Sequence, residues 1–583
     1  MAGLLVLLTI LAPWGGAASV LLAGDQRHKT QQIAAVLCSV IAAFAALLLL
    51  AFTVTTPSVE YAIGGVFGTF TFIPDGLGTF LAAVATTIGS LTVIFSLDYM
   101  HGEHQLGRYY ALVLLFIGAM CGLVLSGNLL LLFIFWEMTA LCSYALISFH
   151  NDDPKAVAGG IKALVITQIG GVGLLVGILA AYTQLGTLDI NMLIANAGSL
   201  PADALTITAF GFLIAAAAKS AQVPFHTWLP GAMEAPTPVS ALIHAATMVN
   251  AGVYLLARFY PAFAAVPGWT SAVLIVGMIS ALFGALMALS THDLKRALAY
   301  STISQLGFMV YAIGAGGIFA SQFHLLNHAV FKALLFLGAG AVIHTMGTRD
   351  MRRMGGLSRA MPFVRNVFVI GGLALAGVPF FNGFWSKELI LEAGLETAVW
   401  SFVVMLITAG LTALYTLRMI WLVFFGEAHA AFPAHDAPNF MRIALGMLAI
   451  GVLGIWLLAG AFGHLLESTL PYHESVLHVD STADMISALI AAPATWLTLA
   501  VIGVGFALWV LRERLTAFTN SLAPLMRAAA ADFGFEWLNR RIVIAAQSAA
   551  VNLRKTQTGQ LNWNIVGIVT GLVAVLLVLM VGR

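Results

Sequence analysis

Thr208-Ala-Phe-Gly-Phe-Leu-Ile-Ala-Ala-Ala-Ala-Lys-Ser-Ala-Gln-Val-Pro-Phe-His-Thr-Trp-Leu-Pro230 is an apolar, helix-forming run that carries one ammonium group and then meets a proline. A lysine at the centre of a bilayer costs about 2.5–3.5 kcal/mol on insertion scales, so Lys219 is expected to face protein or water and to find a partner there. The alternative is a side chain that reaches back to the membrane interface. Pro224 lacks an N–H and disfavours helix at the residue before it. A broken helix at membrane depth is tolerated only where the freed carbonyls line a cavity or the protein interior, so charge and break together read as an ion site.

The rest of the chain is a suitable host for such a site. Of 583 residues, 60% are hydrophobic and 9% charged, and the mean hydropathy is +0.97. These values belong to a polytopic, all-α membrane protein. Runs of about 20 apolar residues recur about sixteen times, the last over 562–582. The net charge of +1 suggests neither nucleic acid nor an acidic partner. Basic residues are nevertheless unevenly spread: Arg27, Lys29, Arg108, Lys155, Lys295, Arg296, Arg349, Arg352, Arg353, Arg359 and Arg365 fall in one set of loops, and essentially Arg258 alone in the other. The positive-inside rule then places the N-terminus outside, in a bacterial inner membrane. The first apolar segment has no basic n-region and is not expected to be a cleaved signal peptide. Cys38, Cys121 and Cys142 stand alone in apolar segments, which offers no iron–sulfur ligand set and no disulfide framework. Without a dinucleotide or phosphate-binding loop either, the driving force is expected from an ion gradient or a partner.

The text around two lysines recurs. Gly160-Ile-Lys-Ala-Leu164 and Val330-Phe-Lys-Ala-Leu334 place Lys162 and Lys332 170 residues apart, while Lys219 and Lys387 are 168 apart. Two lysine pairs at nearly one offset predict a duplicated unit, and five spans per unit force the copies into inverted topology. The expected organisation is N-terminal helices over 1–107, a first five-helix repeat over 108–262, its inverted copy over 263–425 and two further spans within 426–514. A lateral amphipathic segment over 515–561 and a transmembrane helix over 562–583 complete it. The second copy repeats the breakage too: its span is interrupted at Pro379 and Gly383 and then presents Lys387 with Glu388.

Other polar residues lie within spans. Glu137, about a third of the way across its span, is a functional candidate, or else a neutral carboxylic acid hydrogen-bonded to Thr139 or Ser143. His324, His328 and Lys332 are spaced i, i+4, i+8 and share one helix face. HxxxH is a zinc spacing, but structural zinc wants four ligands and lysine is not one, so the stripe reads as a proton path, with His244 a further member or a helix–helix hydrogen-bonding residue. His101 and His104 read as a solvated loop.

The stretches Phe135-Trp-Glu137, Lys219 to Leu229, Pro236 to Met248, Arg296 to Thr302 and Gly383-Phe-Trp-Ser-Lys-Glu388 resemble the antiporter-like subunits of proton-pumping NADH:quinone oxidoreductase. Mrp-type sodium/proton antiporters and membrane-bound hydrogenases share this text. The C-terminal lateral segment followed by a further span is similar to the distal subunit, chain L or 5, of the quinone oxidoreductase. The resemblance implies a Glu–Lys pair, Glu137 with Lys219, and a hydrophilic axis through His244 and Lys332 to Lys387. It implies no cofactor in this chain, with quinone, flavin and iron–sulfur clusters in partner subunits, and further antiporter-like subunits as neighbours. Gly171 stands where the quinone oxidoreductase subunits carry an aspartate, and the segment 515–556 is short, which keeps an Mrp-type antiporter subunit as the alternative. Two opposite charges ~6 Å apart at an effective dielectric of ~20 attract by about 2.8 kcal/mol. That is about a hundredfold in proton affinity, enough to load and unload Lys219. The expected proton path uses Glu137, Lys162, Lys219, His244, His324, His328, Lys332, Lys387 and Glu388.

Overall fold

The computed structural model describes residues 1–24, 26–55, 58–62, 69–427, 435–467 and 481–556. The span expected over 562–582 lies outside them, as does most of the polar connection expected around 464–485. Two helices, α1 (Ala2–Ala23) and α2 (His28–Leu49), lead into an antiparallel hairpin of β1 (Val59–Ala62) and β2 (Thr69–Phe72). Then come α3 (Gly76–Tyr99), α4 (Leu106–Leu125), α5 (Leu129–Ile147) and α6 (Pro154–Leu185), with a short α7 (Ile190–Asn196) before α8 (Ala202–Lys219). The single turn α9 (Trp228–Gly231) separates α8 from α10 (Thr237–Ala245) and α11 (Met248–Arg258). A further turn, α12 (Tyr260–Phe263), precedes α13 (Trp269–Ser290), α14 (Leu294–Gly314) and α15 (Ile318–Met346). The broken pair α16 (Pro362–Ala376) and α17 (Asn382–Thr397) is followed by α18 (Val399–Ile420), α19 (Asn439–Gly454) and α20 (Ala459–Glu467). Last are α21 (Thr482–Ala491), α22 (Pro493–Val510), α23 (Thr516–Ser521), α24 (Ala523–Ala530) and α25 (Phe535–Thr556).

Among the described residues, 14 helical stretches are long and apolar enough to cross a membrane. The halves α16 and α17, 15 and 16 residues long, together supply the interrupted span that the sequence predicts. Helix starts carry the expected chemistry. Asn128, Asp153 and Asp293 cap α5, α6 and α14 through backbone N–H groups that donate to their side chains, and Pro154 occupies the first turn of α6. Tight crossings rest on small residues: a Cβ added at Gly307 of α14 would strike the Ala281 and Gly277 backbone of α13. Large apolar side chains such as Leu47, Ile169, Ile407 and Ile450 stay exposed on the outside of the helices, as lipid solvent requires.

One departure from an all-helical reading is the hairpin. Its second strand pairs onward, with Gly127 N–H donating to Thr71 O (2.8 Å) and Ile190 N–H to Gly127 O (3.0 Å), so a small backbone network ties three loops on one rim. Polar backbone in a connection has to be paired, and strand pairing does this where no helix is possible. On the same rim Asp75, which caps α3, receives both terminal nitrogens of Arg258, whose Nε donates to Tyr254 Oη (3.2 Å). The single arginine in this set of loops is therefore 3% exposed and neutralised within the fold. At the opposite rim Arg349 joins Glu234 (3.1 Å) and Asp293 (3.3 Å), bridging the loops before α10, α14 and α16. There Arg352, hydrogen-bonded to Asp350, holds that carboxyl below the usual range. Burial, with Arg418 and Arg352 nearby, holds the His292 imidazole below its ordinary value.

Residues Met1–Met526 form one compact unit and Arg527–Arg583 a second. Within the second, α25 follows a turn with positive φ at Asp532, Phe533 and Gly534, and carries an Arg540–Glu536 ion pair of 3.6 Å. The stretch expected as one lateral element is thus several helices, because these backbone angles cannot continue a helix.

Candidate functional site

The first break begins at the lysine itself. Helix α8 ends at Lys219, five residues before Pro224, and Ala221 turns to φ +48. Side chains take up backbone groups freed there: Trp228 Nε1 donates to Ala218 O (3.0 Å), Gln222 Nε2 to Ser220 O (2.8 Å), and Val223 N–H to Ser280 Oγ of α13 (2.9 Å). Lys219 is fully buried, so its ammonium does not reach an interface. It donates to Trp136 O of α5 (2.7 Å) and lies 4.9 Å from the Trp136 ring centroid. Carbonyl dipole and ring face compensate the buried cation in place of water.

The span holding His244 is broken as well, a feature that its unremarkable sequence did not announce. Between α10 and α11, Thr247 Oγ1 donates to Leu242 O and Asn250 Nδ2 to Ala245 O (both 2.8 Å), so side chains replace the missing helical bonds. His244 lies in the last turn of α10 with its ring 4.5 Å from that of Phe336, and neither ring nitrogen has a hydrogen-bond partner among the described residues.

The third break has the expected place and a clear physical form. A Cβ at Gly383 would strike Ala374 O, so only glycine lets the start of α17 pass the end of α16. Lys387 Nζ donates to Leu375 O (2.7 Å), one of the carbonyls left without a helical partner at the end of α16. Lys387 is 1% exposed and Glu388 2%; Glu388 meets the Thr498 hydroxyl of α22.

Helix α14 joins these elements along one face. Lys332 of α15 donates to Ser301 Oγ, and the two ring nitrogens of His324 contact Gln305 Oε1 (3.1 Å) and Ser386 Oγ (2.9 Å). His328 lies between, buried with both ring nitrogens unpaired and within electrostatic reach of Lys332, His324, His244 and Lys387. His324 is thus held by an amide and a hydroxyl, and no group of three or more His, Cys, Asp or Glu forms a metal site among the described residues. The result is a row of fully buried groups from His244 through Lys332, His328 and His324 to Lys387 and Glu388.

Lys219 and Glu137 stand apart from that row. The groups acting electrostatically on Lys219 are Glu137 and Cys142. Glu137 is half-buried and takes a hydrogen bond from Gln168 of α6, while Thr139 and Ser143 donate to their own helix (2.7 and 2.8 Å). Among the described residues no ion pair joins Glu137 to Lys219, so the implied pair is not closed here. Lys162, which the repeat pairs with Lys332, is only half-buried on α6 and lies outside the row, because the matching text sits on a helix with one exposed face. His101 and His104 are exposed, as expected of a solvated loop.

Several participants were not singled out from sequence. Lys295 is 3% exposed, donates to Ala235 O (2.6 Å) and acts electrostatically on His244, although its place in a basic loop suggested solvent. Glu392 and Glu396 follow Glu388 at i+4 and i+8 on α17, a spacing that was visible in the sequence. Glu392 is half-buried with Oε2 unpartnered, Glu396 is exposed, and the helix ends with Thr397 donating to Ala315 O (3.1 Å). Each step rises about 6 Å, so the three carboxylates lead from Lys387 to the helix end.

Comparison with known proteins agrees with this architecture. The family described as "NADH:quinone oxidoreductase/Mrp antiporter, TM" matches residues 126–412, and "NADH-Ubiquinone oxidoreductase (complex I), chain 5 N-terminus" matches 61–110. The chain is 39% identical over 451 residues to NAD(P)H-quinone oxidoreductase chain 5 of Picosynechococcus sp., covering 71% of this chain and 68% of that one. It is 42% identical over 417 residues to Na(+)/H(+) antiporter subunit A1 of Staphylococcus haemolyticus, covering 66% of this chain and 52% of that one. A chain of the Mrp complex from Dietzia sp. superposes with a TM-score of 0.83 at 28% identity, covering 99% of this chain and 63% of its own. A chain of the archaeal membrane-bound sulfane sulfur reductase superposes with a TM-score of 0.70 at 25% identity, covering 83% of this chain and 99% of its own. This protein belongs to the NADH:quinone oxidoreductase/Mrp antiporter family of multi-pass membrane subunits.

Proposed function

We propose that this chain is a proton-translocating membrane subunit of a multi-subunit energy-converting complex, in the manner of the distal antiporter-like subunit of NADH:quinone oxidoreductase. The observation that carries this reading is the row of buried lysines and histidines that runs from one broken span, at His244, along the continuous α15 to another, at Lys387, each no more than 1% exposed. Such groups are costly in a membrane and have no packing role that an apolar residue could not fill. Proton transfer uses them directly: lysine and histidine both give and take a proton, and water is the natural partner for ring nitrogens that the protein leaves unpaired. Glu137 acts as the gate. Its approach stabilises the charged form of Lys219, and its withdrawal releases a proton toward His244, Lys332 and Lys387. Redox groups then belong to partner subunits, which include further antiporter-like chains. The N-terminus lies outside a bacterial inner membrane, following the distribution of basic loop residues.

A second reading, a subunit of an Mrp-type sodium/proton antiporter, is favoured by Gly171 and by the likeness of 99% of this chain to 63% of the Mrp complex chain. Purified complex in proteoliposomes tests both. The first reading expects internal or external acidification driven by electron transfer; the second expects it from an imposed sodium gradient without an electron donor. In either assay Lys219→Ala should fall to background while the complex still assembles. Undiminished proton movement by that variant would sink the role given to Lys219.

A further inference from the structure

Helix α6 contributes two residues to Glu137 that the proposed mechanism does not yet use. Gln168 donates its side-chain amide to Glu137 Oε2, and Gly171, three residues on and so on the same face, leaves the space that Oε1 occupies. A Cβ at 171 would collide with Oε1, so the carboxylate sits where any other side chain would be. Oε1 itself is buried without a partner, and Lys219 spends its hydrogen bond on the Trp136 carbonyl. The carboxylate is therefore parked on α6, one residue along α5 from the group that holds the ammonium.

We infer that Gln168 is a positioning residue that, together with the gap at Gly171, holds Glu137 in a parked position away from Lys219, so that closing the Glu–Lys pair requires release from the Gln168 amide. The inference rests on the proposed gating role of Glu137. The titratable side chains of α6 itself are Lys155, Lys162 and Tyr182, and α4, packed on α5, carries Arg108, Tyr109, Tyr110 and Cys121. Glu137 and Cys142 act on Lys219 from α5, α13 on the far side carries no titratable side chain, and Tyr254 and Arg258 of α11 are engaged at its other end with Val124 O and Asp75. A seat of one neutral donor and one vacant side-chain volume binds a carboxylate weakly enough to let it go.

Gln168→Leu removes the donor, and Gly171→Ala fills the seat. Both should leave Glu137 to pair with Lys219, so that the lysine keeps its proton to higher pH. The alkaline limb of the pH profile for proton translocation in proteoliposomes should then move up by about one to two pH units. In a Glu137→Gln background neither substitution should move the profile, and Gln168→Asn should restore part of the parked behaviour. An unshifted profile in Gln168→Leu, or a shift that persists without Glu137, would overturn the inference. If one variant fails to assemble, the other is read by the same criterion. The carboxyl stretch of Glu137, isolated by infrared difference against Glu137→Gln, should also move in Gln168→Leu. That band decides the positioning role even in a complex whose wild type translocates no protons, a result that would refute the proposed function alone.

Discussion

Lys219 and Lys387, which the lysine spacing pairs, are held differently, and the difference makes separate predictions. Lys219 borrows a carbonyl and a ring from α5, next to Glu137, whereas Lys387 uses Leu375 O of its own broken helix and has Glu388 beside it. Lys387→Arg should therefore abolish net translocation while preserving the cation, because arginine stays protonated and cannot hand its proton on. A pumping-competent Arg variant, measured as gradient formation in proteoliposomes, would reduce Lys387 to a fixed charge. At Glu137 the requirement is a titratable negative group, so Glu137→Gln should slow transport about tenfold or more and Glu137→Asp much less. Equal rates for the two would show a neutral, structural carboxyl.

Among the elements, α17 joins breakage to a way out. Its glutamates at 388, 392 and 396 form a stripe from the buried lysine to the end of the helix, and like charges at i, i+4 are unfavourable unless something else retains them. Glu392→Gln should leave proton uptake by the complex intact and slow release on the side where α17 ends, measured with a pH dye confined to each side of the vesicle in turn. Equal slowing on both sides would remove Glu392 from the release route. The same helix depends on Gly383 for its close approach to Ala374 O. Because the obstacle is backbone, Gly383→Ala should lower stability by about 1–3 kcal/mol and displace Lys387 from Leu375 O.

For the whole molecule, the two rims close the bundle with ion pairs. Arg258 and Asp75 form the more buried one, joining the start of α3 to the end of α11 across 183 residues. Removing one member leaves a buried charge uncompensated, so Arg258→Met should cost about 3–5 kcal/mol and reduce the yield of assembled complex. The double variant with Asp75→Asn, which keeps an N-cap for α3, should recover most of the loss in thermal melting of the detergent-purified complex. No recovery would place the role of Arg258 elsewhere, in its Nε contact with Tyr254.

Much of this arrangement was written locally. Apolar runs about 20 residues long determine the spans, because lipid leaves a backbone no choice but helix, and a lysine beside Pro224 or Gly383 marks a break because no other context tolerates it. The two lysine pairs at nearly one spacing predict a duplication. The break at Ala246–Thr247 left no such mark, since it depends on Asn250 and Thr247 taking over carbonyl bonds that only the folded helix presents. The burial of Lys295 and the half-exposure of Lys162 were equally out of reach. Which face of a helix meets protein depends on its neighbours, and the neighbours come from other elements of the chain, as Ala235 does for Lys295, 60 residues away. The parking of Glu137 on Gln168 rather than on Lys219 is of the same kind: sequence supplies the two partners, and only the packing of α5 against α6 and α8 decides between them.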